Sequence, residues 1–509
     1  MIVLTPDTLS QIPEQPGLVK PGASLLQLPE KVLQFGTGVL LRGLPDYFID
    51  KANRQGLFNG RVVVVKSTAS GGTDAFATQG GLYSLCVRGI ENGNPVEEVI
   101  INSSISTVLN AATEWNQVLQ KVRQPAMQVI ISNTTEVGIV YKEEVVTSGV
   151  PSSFPGKLLA CLLERYRAFE GTEDSGMVIV PAELVPDNGT KLRAIVLQLA
   201  QFNQLPAAFI NWLAEANHFC NSLVDRIVPG KLPAAEEQAV QHKLGYRDDL
   251  MIMAESFRLW AIESKHPRVA EVLSFAAADG GVVLAPDIEK FRELKLRLLN
   301  ATHTFSCGLA HLAGFITVKQ AMQHKSMSAF ISNLAFDEIA VSVTSGHITR
   351  EEAYQFARQV LDRFRNPFIE HQWISITAQF TSKLKMRCVS LLHRFTEVTG
   401  HAPEMMSLGV AGWLLFMHTR LVNGRYQGAF NGVQYTVNDD RAERLSRYWE
   451  QYQPEGLVAV VLQDQELWGE DLTQIPGLAE RVLYHLQLLM REGALEAIYQ
   501  TQKSALQAS

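Results

Sequence analysis

The chain has 509 residues and a formal net charge of −7, with 46% hydrophobic and 19% charged residues. This length exceeds what one hydrophobic core usually organises, so two domains are expected. The net negative charge and the absence of a concentrated run of Lys and Arg argue against a nucleic-acid-binding protein. A local basic pocket for a small anion remains compatible with this charge.

The cysteines and the apolar runs indicate the compartment. The five cysteines lie far apart and form no Cys-x-x-Cys pair, which is typical of free thiols in a reducing environment. The N-terminus lacks the basic start and apolar stretch of a signal peptide. The longest apolar run, 408–417, is far shorter than the ~20 residues that span a bilayer, so it predicts a buried helix. We therefore expect a cytoplasmic protein with no membrane partner.

Strand-like and helical segments alternate through the first half. After a proline-rich arm over residues 1–30, an apolar run, 32–35, ends in a Gly-Thr-Gly turn and precedes a helical stretch through Asn53. The β-branched run 62–65 suits a strand that is buried on both faces. Further strands are predicted over the ranges 83–89, 99–106, 129–132 and 177–180. The alternation predicts a doubly wound, Rossmann-like α/β domain.

From about Pro286 long helical patterns dominate and strand signals are scarce. The sequence therefore predicts a nucleotide-binding domain with its N-terminal arm over residues 1–283 and a mostly α-helical domain over 284–509.

The Gly-Thr-Gly turn is a candidate dinucleotide site. Gly36 and Gly38 lie where a backbone can approach a pyrophosphate at a helix N-terminus. Leu41 occupies the usual third glycine position, so a tight strand-to-helix turn fits equally well. Arg42 either pairs with phosphate or is a solvated helix residue. Lys66, where NAD-binding folds usually have an acid, either accepts a 2′-phosphate, which favours NADP, or lies outside the pocket.

The segment Lys295-Leu-Arg-Leu-Leu-Asn-Ala-Thr-His is the most informative stretch of the second half. At 3.6 residues per turn, Lys295 and His303 lie about 80° apart and Asn300 about 60° beyond His303. One helical face can therefore present an amine, an amide and an imidazole to a cavity. The alternative is a solvent-facing lysine and a buried histidine bonded to a backbone carbonyl.

Two polar segments of the first half are further candidates. Asn188 lies in a loop after a strand, where α/β sheets place their active-site loops. Asp225 precedes Arg226 in a second polar segment. Their alternative roles are a helix-capping turn and a surface ion pair. The sequence contains no set of residues with metal-ligand spacing, no Gly-x-Ser-x-Gly and no P-loop, which leaves few routes to a hydrolase or kinase.

Together these segments resemble the long-chain polyol dehydrogenases, the mannitol dehydrogenase family. The resemblance is carried, in the family's order, by LQFGTGVLLR, QGGLYSLCVRG, SNTTEVGI, PSSFPGKL, ELVPDNG, FCNSLVDRIVPG, KLRLLNATHT and RFRNPFIEHQW. It implies an NAD-dependent, zinc-independent dehydrogenase of secondary alcohols with a small-molecule substrate. It indicates no particular oligomeric state.

The resemblance also implies residue roles. Lys295 would be the acid/base, with Asn300 and His303 at the family's other positions in that motif. Asn188 would belong to the second oxyanion-binding loop, and Asp225 would be the acid of the Asp-Arg-Ile-x-Pro segment. The cofactor contacts expected here are Gln34, Phe35, Gly36, Gly38, Val39, Leu40, Arg42, Lys66 and Asn133.

One departure concerns the proton route. Mannitol-type members carry an acid three residues before the lysine, where this chain has Arg292 followed by Glu293. Proton exit to solvent is therefore expected to follow a different route.

We expect the chain to interconvert a sugar-acid ketone and its alcohol, with Lys295 exchanging the proton and the amides of Asn188 and Asn300 binding the oxyanion. The candidates for binding the substrate carboxylate are Lys383, which we favour, Lys385, Arg387 and Arg365; each also fits a solvated helix face. Within the same chemistry the alternatives are fructuronate with its alcohol mannonate, or a mannitol-type polyol. In other classes they are a non-catalytic nucleotide sensor and a lyase that forms a Schiff base through Lys295.

Overall fold

The computed structural model describes residues 1–67, 72–134, 138–430 and 432–508. The chain forms two compact units, the first made of residues 1–89 and 95–288 and the second of 90–94 and 289–509. The inclusion of 90–94 in the second unit had no signal in the sequence. Within the described residues, no helix combines the length and the apolar character needed to cross a membrane.

The first unit contains most of the strands. In chain order they are β1 (Ile2–Val3), β2 (Leu18–Val19), β3 (Glu30–Phe35), β4 (Arg61–Lys66), β5 (Tyr83–Glu91), β6 (Asn94–Asn102), β7 (Ile105–Asn110), β8 (Val129–Ser132), β9 (Val178–Pro181), β10 (His218–Phe219), β11 (Ser222–Asp225), β12 (Tyr246–Arg247), β13 (Ile252–Glu255), β14 (Leu259–Glu263) and β15 (Val282–Ala285).

The helices of the first unit are α1 (Val39–Gly43), α2 (Pro45–Arg54), α3 (Asp74–Thr78), α4 (Trp115–Val122), α5 (Phe154–Ala168), α6 (Asn188–Phe202), α7 (Ala207–Glu215), α8 (Ala234–Leu244) and α9 (Pro267–Val272). Short 3₁₀ turns cover Pro6–Gln11, Ala23–Gln27, Glu173–Ser175 and Ser274–Ala278.

A parallel sheet organises this unit. Its strand order is β7-β4-β3-β8-β9-β10, and all of its neighbouring strands run parallel. Numbered along the chain, this is the order 3-2-1-4-5-6 of the Rossmann fold. The predicted doubly wound α/β fold is confirmed.

The valine-rich strands bury both of their faces. Successive side chains of β4 belong to different hydrophobic clusters: Val62 and Val64 to one, Val63 and Val65 to the other. Because side chains alternate across a strand, the two clusters lie on opposite faces of the sheet. This is the packing that the unbroken β-branched run predicted.

The single strand predicted over 99–106 was wrong in its bounds. The strand β6 ends at Asn102, and β7 begins at Ile105 and joins the parallel sheet. The Asn102 side chain accepts hydrogen bonds from the backbone N–H (2.9 Å) and the hydroxyl (2.7 Å) of Ser104. This local turn interrupts the strand, as asparagine side chains commonly do.

Smaller sheets complete the first unit. β13, β5, β6 and β2 form one, β11, β14 and β15 another, and β1 pairs with β12. None of the strands β10 to β15 was predicted. The arm over residues 1–30 contributes β1 and β2, although it was expected to be irregular.

The second unit is mostly helical. Its helices are α10 (Glu289–Leu294), α11 (Thr302–Leu312), α12 (Val318–Gln323), α13 (Lys325–Asn333), α14 (Ala340–Val343), α15 (Arg350–Phe364), α16 (Trp373–Ile376), α17 (Phe380–Thr399), α18 (Glu404–Phe416), α19 (Ala442–Gln451), α20 (Pro454–Gln463), α21 (Gln465–Trp468), α22 (Leu478–Glu492) and α23 (Ala494–Ala508). π-helical turns cover Lys295–Ala301 and Leu334–Ile339, and a 3₁₀ turn covers Leu472–Gln474.

Glycines bring α11 and α18 into close contact. A Cβ built on Gly409 would lie 2.9 Å from the carbonyl oxygen of Phe305, and one on Gly412 would lie 2.5 Å from Cγ of Leu309. Helix α18 contains most of the longest apolar run of the chain and is buried along nearly its whole length, as predicted. It therefore fixes the helix on which His303 lies.

A three-stranded antiparallel sheet in the second unit was missed. It consists of β16 (Thr419–Val422), β17 (Arg425–Phe430) and β18 (Val433–Thr436). Its exposed polar residues give no clear alternation. A usable signal was nevertheless present, because Asn423 and Gly424, with φ of 49° and 76°, form the Asn-Gly turn that is typical of a β-hairpin.

Candidate functional site

The glycine turn follows β3, where the chain leaves the centre of the parallel sheet. Gly36 has φ of 129°, and a Cβ there would lie 2.9 Å from Cδ1 of Leu41 and 3.2 Å from the carbonyl oxygen of Asn133. At Gly38 a Cβ would meet nothing within 4 Å. The fold itself therefore requires the first glycine, whereas the second leaves open space beside the backbone, as a ligand-binding turn needs.

The predicted helix after this turn is broken. Leu44 has φ of −133° and ψ of −75°, so α1 ends at Gly43 and α2 begins at Pro45. Proline disfavours helical geometry in the residue before it, which explains the break. The sequence prediction of one helix through Asn53 missed this signal.

Arg42 has partners within the first unit. Its Nη1 donates to the carbonyl of Leu250 at 2.8 Å, and its guanidinium lies 5.5 Å from the ring centre of Phe76 and 5.4 Å from that of Tyr83. Burial lowers the pKa of Arg42. These contacts hold Arg42 within the first unit, and its predicted phosphate contact stays a prediction.

Two other predicted cofactor residues point away from solvent. The Phe35 ring lies in a hydrophobic cluster. The Gln34 side chain is fully buried, and its Nε2 donates to Oδ2 of Asp46 at 3.2 Å. Burial raises the pKa of Asp46 to about 7. Gln34 and Phe35 could therefore contact a cofactor only through their backbones, whereas Val39 and Leu40 are partly exposed.

Lys66 and Asn133 lie at the carboxyl ends of β4 and β8. Lys66 is buried. The backbone N–H of Asn133 donates to the carbonyl of Phe35 at 3.2 Å, and its Nδ2 donates to that of Ala182 at 2.7 Å. Asn133 thereby connects three neighbouring strand ends. Thr135 and Glu136 of the SNTTEVGI segment lie outside the described residues.

Glu183 organises the same edge of the sheet and was given no role from the sequence. Its buried carboxylate accepts hydrogen bonds from the Ser132 hydroxyl (3.1 Å), the Thr134 N–H (2.9 Å) and the Thr134 hydroxyl (2.9 Å). The available signal was a carboxylate directly after a buried strand. Glu183 therefore holds the loop after β8 against the loop after β9.

Asn188 is fully buried at the start of α6. Its Nδ2 donates to the carbonyls of Pro181 (3.0 Å), Glu183 (3.1 Å) and Ser222 (3.1 Å), and its Oδ1 accepts from the N–H groups of Gly189 and Ser222, both at 2.9 Å. An oxyanion contact would require one of these bonds to be exchanged. The geometry favours a residue that fixes the loop after β9.

Asp225 and Arg226 do not form the surface ion pair that was the alternative. Both are buried. Arg226 donates to the carbonyls of Glu255 (2.8 Å) and Gly43 (2.6 Å), and its guanidinium lies 4.6 Å from the ring centre of Tyr47. Burial lowers the pKa of Arg226 to about 10. Asp225 ends β11, and its predicted role stays a prediction.

In the second unit the lysine motif is a π-helical turn. The turn covers Lys295–Ala301, between α10 and α11. Hydrogen bonds in such a turn close over five residues instead of four, and these turns are frequent at functional sites. The angular positions of Lys295 and Asn300 that were derived for an α-helix of 3.6 residues per turn are therefore wrong. Both are partly exposed, and the Asn300 amide makes no hydrogen bond within the described part of the chain.

Arg297 fastens this π-helical turn to α17. Its Nη1 donates to the carbonyls of Met386 (2.9 Å) and Arg387 (2.8 Å), and its Nε to Glu293 at 3.2 Å. Glu293 also accepts from Arg394 at 3.3 Å. Glu293, the acid next to Arg292, is thus hydrogen-bonded to two arginines.

His303 lies in an aromatic cluster of the second unit. Its ring stacks on Phe364 at 4.0 Å between centroids and lies 5.0 Å from His371 and 5.9 Å from Trp373. Its Nδ1 has no hydrogen-bond partner among the residues described. Burial lowers the pKa of His303 well below its usual range, and the nearby positive charges act in the same direction. The imidazole is therefore neutral.

The structure separates the candidate cations. Lys383 and Arg387 are partly buried, and their charges lower the pKa of His303. Lys385 and Arg365 are exposed, and Arg365 lies 4.0 Å from Asp362. The buried Arg363, two residues before Arg365, acts on His303 instead. The structure therefore does not bring the predicted Arg365 to this cluster.

Sequence reasoning missed two members of the cluster, Arg363 and His371. Both lie in the quoted RFRNPFIEHQW segment, in or after the last turn of α15. Choosing between Arg363 and Arg365 required knowing where the helix ends, which the pattern left open. An arginine at each side of Phe364 was the available signal.

Family models match both units. The model described as the Mannitol dehydrogenase Rossmann domain matches residues 30–272, and the one described as the Mannitol dehydrogenase C-terminal domain matches 287–490.

Named relatives match nearly the whole chain. Altronate oxidoreductase of Shigella flexneri is 36% identical over 487 residues, covering 94% of this chain and 97% of the relative. Altronate oxidoreductase of Halalkalibacterium halodurans is 37% identical over 482 residues, 93% of each chain.

Two solved structures share the fold. Pseudomonas fluorescens mannitol 2-dehydrogenase, in a ternary complex with NAD and D-mannitol, has a TM-score of 0.66 at 21% identity and covers 99% of this chain and 100% of that one. A D-sorbitol dehydrogenase in substrate-free form has a TM-score of 0.75 at 20% identity, covering 98% and 100%.

Proposed function

The chain belongs to the mannitol dehydrogenase family, and from this premise we propose that it interconverts altronate and its ketone, tagaturonate, with NAD as cofactor. The observation that carries the substrate is that relatives 36–37% identical over more than nine tenths of the chain are named altronate oxidoreductase. The five cysteines are free and buried, which supports the cytoplasm as its compartment.

The first unit fits a dinucleotide. Its sheet has the Rossmann strand order, and ligands of such sheets bind beyond the carboxyl ends of the strands where the order reverses, here β3 and β8. The backbone of Gly36–Gly38 and the residues Val39, Leu40, Lys66 and Asn133 would hold NAD there. When bound, NAD supplies the nicotinamide carbon that accepts or returns the hydride.

The second unit supplies the proton chemistry. In oxidation the Lys295 amine takes the proton of the substrate hydroxyl as the hydride leaves the carbon that bears this hydroxyl. In reduction the amine returns the proton to the carbonyl oxygen. The unbonded amide of Asn300 donates to the oxygen as negative charge develops on it. The neutral ring of His303 can orient the substrate through a hydrogen bond without adding charge.

A substrate panel tests this function. Altronate, mannonate and mannitol are each supplied with NAD, and the rise in absorbance at 340 nm is followed. We expect the highest kcat/KM with altronate. A preference for mannonate or mannitol would replace altronate by one of the two alternatives within the same chemistry.

Metal removal tests the lysine mechanism. Because a lysine stands where other dehydrogenases use a zinc-bound oxygen, we expect full activity after exhaustive treatment with EDTA. Among the described residues, no cluster of three or more His, Cys, Asp or Glu side chains could hold a metal ion. Activity that is lost with EDTA and restored by zinc would contradict Lys295 as the proton acceptor.

Cofactor choice depends on Lys66. We expect NADH to be preferred, because the Mannitol dehydrogenase Rossmann domain model matches residues 30–272 and the mannitol 2-dehydrogenase that shares the fold is in complex with NAD. The measurement is kcat/KM for tagaturonate reduction with NADH and with NADPH. A value at least tenfold higher with NADPH would mean that Lys66 binds a 2′-phosphate.

A further inference from the structure

A buried acid lies behind the glycine turn of the first unit. Asp46 is fully buried in the first turn of α2. Its Oδ2 accepts a hydrogen bond from Nε2 of Gln34 at 3.2 Å, and the same Nε2 lies 3.5 Å from the carbonyl oxygen of Gly36. A single side chain, that of Gln34, therefore connects the Asp46 carboxyl group to the backbone of this turn.

A second acid on the same helix, Asp50, shows what Asp46 lacks. The Asp50 carboxylate accepts hydrogen bonds from Nε of Arg54 at 2.7 Å and from the N–H and the hydroxyl of Ser103, both at 2.8 Å. A buried ionised carboxylate normally has donors of this kind. Among the residues described, Asp46 has the single donor of Gln34, and its Oδ1 has no partner.

The amide of Gln34 complements the Asp46 carboxyl group. Its Oε1 is buried and accepts no hydrogen bond from the part of the chain that the structure describes. An ionised Asp46 can only accept hydrogen bonds, so it offers nothing to Oε1. A protonated Asp46 can donate from Oδ1 to Oε1 while Oδ2 accepts from Nε2, which closes a cyclic pair of an acid and an amide. One proton therefore satisfies both buried oxygens.

The groups that face Asp46 act in opposite directions. Burial, the largest cause, and the charge of Asp50 raise the pKa of Asp46, whereas the hydrogen bond from Gln34 and the charge of Arg42 lower it, with the result at about 7. Burial raises the pKa of Tyr83 on β5 well above its usual value, so its phenol stays neutral. Asp46 therefore exchanges its proton near neutral pH, and a further negative charge nearby favours the protonated form.

We propose that Asp46 is a positioning residue that pairs with Gln34 as a neutral acid behind the glycine turn, and that dinucleotide binding takes up a proton from solvent at this carboxyl group. The inference rests on the cofactor of the proposed function and goes beyond it by assigning a proton to the binding step. An ionised Asp46 would place a negative charge behind the turn that receives the pyrophosphate.

The sign of the pH dependence follows from this arrangement. The pyrophosphate opposes ionisation of Asp46, so the pKa of this group is higher in the complex than in the free protein, and binding is tighter at low pH. We expect NADH to bind about tenfold more tightly at pH 6 than at pH 9, the effect of a nearby like charge. At this strength, binding takes up about 0.5 proton per NADH at pH 7.5.

Calorimetric titration with NADH in buffers of different ionisation enthalpy measures the proton uptake. Asp46→Asn is the test variant, because its amide can donate to Oε1 of Gln34 and accept from Nε2 but carries no titratable proton. His218→Gln is the matched control. His218 is a partly buried group of β10 whose pKa is lowered by burial, so this variant removes a different titration from the same unit.

Uptake in the wild type and in His218→Gln that is lost in Asp46→Asn, together with the pH dependence of NADH affinity, supports the proposal. Uptake that persists in Asp46→Asn, or that is absent from a wild type that binds NADH, overturns it and leaves the cofactor assignment intact. If Asp46→Asn does not fold, the wild type decides: its uptake should be largest between about pH 7 and 8 and absent at about pH 5, and any other profile overturns the proposal.

The measurement also separates this proposal from the proposed substrate. It uses NADH alone, so proton uptake at Asp46 supports the inference even if altronate is not turned over, in which case the substrate assignment alone fails. A wild type that binds no NADH overturns the inference and the proposed cofactor together.

Discussion

Replacing Lys295 by alanine is expected to lower kcat for altronate oxidation by about 10²–10⁴-fold, the usual contribution of a general acid or base. The dissociation constant for NADH should change little, because the dinucleotide site belongs to the first unit. Steady-state rates at 340 nm measure the first effect and NADH fluorescence titration the second. The pH profile of oxidation should also lose the group that must be deprotonated.

Lys290→Ala is the matched control. Lys290 lies on α10, shortly before Lys295, and pairs with Glu352 at 2.7 Å on a partly exposed surface. Such pairs contribute about 0–1 kcal/mol to stability, so activity should stay within a few-fold of the wild type. Near-normal turnover in Lys295→Ala would exclude the mechanism and leave the family assignment intact.

The fold could be predicted because its strongest signals are local. The run of four valines before Lys66 is short, β-branched and apolar on both faces, as a central parallel strand requires. The Gly-Thr-Gly turn marked the exit from β3 in the same way. Where an individual side chain overrides the pattern, prediction failed: Asn102 ends β6, and Pro45 breaks the first helix.

The site was predicted less completely, because a residue type does not reveal its partners. Arg42 and Asn188 lie near the predicted edge of the sheet, yet both are occupied by backbone carbonyls that come from distant parts of the chain. The π-helical turn that carries Lys295 has no signature in the spacing of its apolar residues. Arg297 has carbonyl partners on α17, about ninety residues later in the chain.

Asn300 and Asn188 are expected to respond differently to substitution. Asn300→Ala should lower kcat by roughly 10²–10³-fold, the cost of removing one oxyanion donor, with little change in Tm. Asn188→Ala leaves buried N–H and carbonyl groups without partners, each costing about 1–3 kcal/mol, so its main effect should be a lower Tm and a lower folded yield. Rates and melting curves of the two purified variants are the measurement.

An isosteric pair of variants sharpens the comparison. Asn300→Asp keeps the shape of the side chain but replaces an amide donor by an anionic acceptor, which repels the developing alkoxide, so kcat should fall at least as far as in Asn300→Ala. Asn188→Asp replaces three donated hydrogen bonds to carbonyls by repulsion, which should destabilise the first unit. If Asn188→Ala instead folds with an unchanged Tm and loses kcat, its amide must exchange a carbonyl for the substrate oxygen during the reaction. That result would make Asn188 a second oxyanion donor, the role that the sequence first predicted for it.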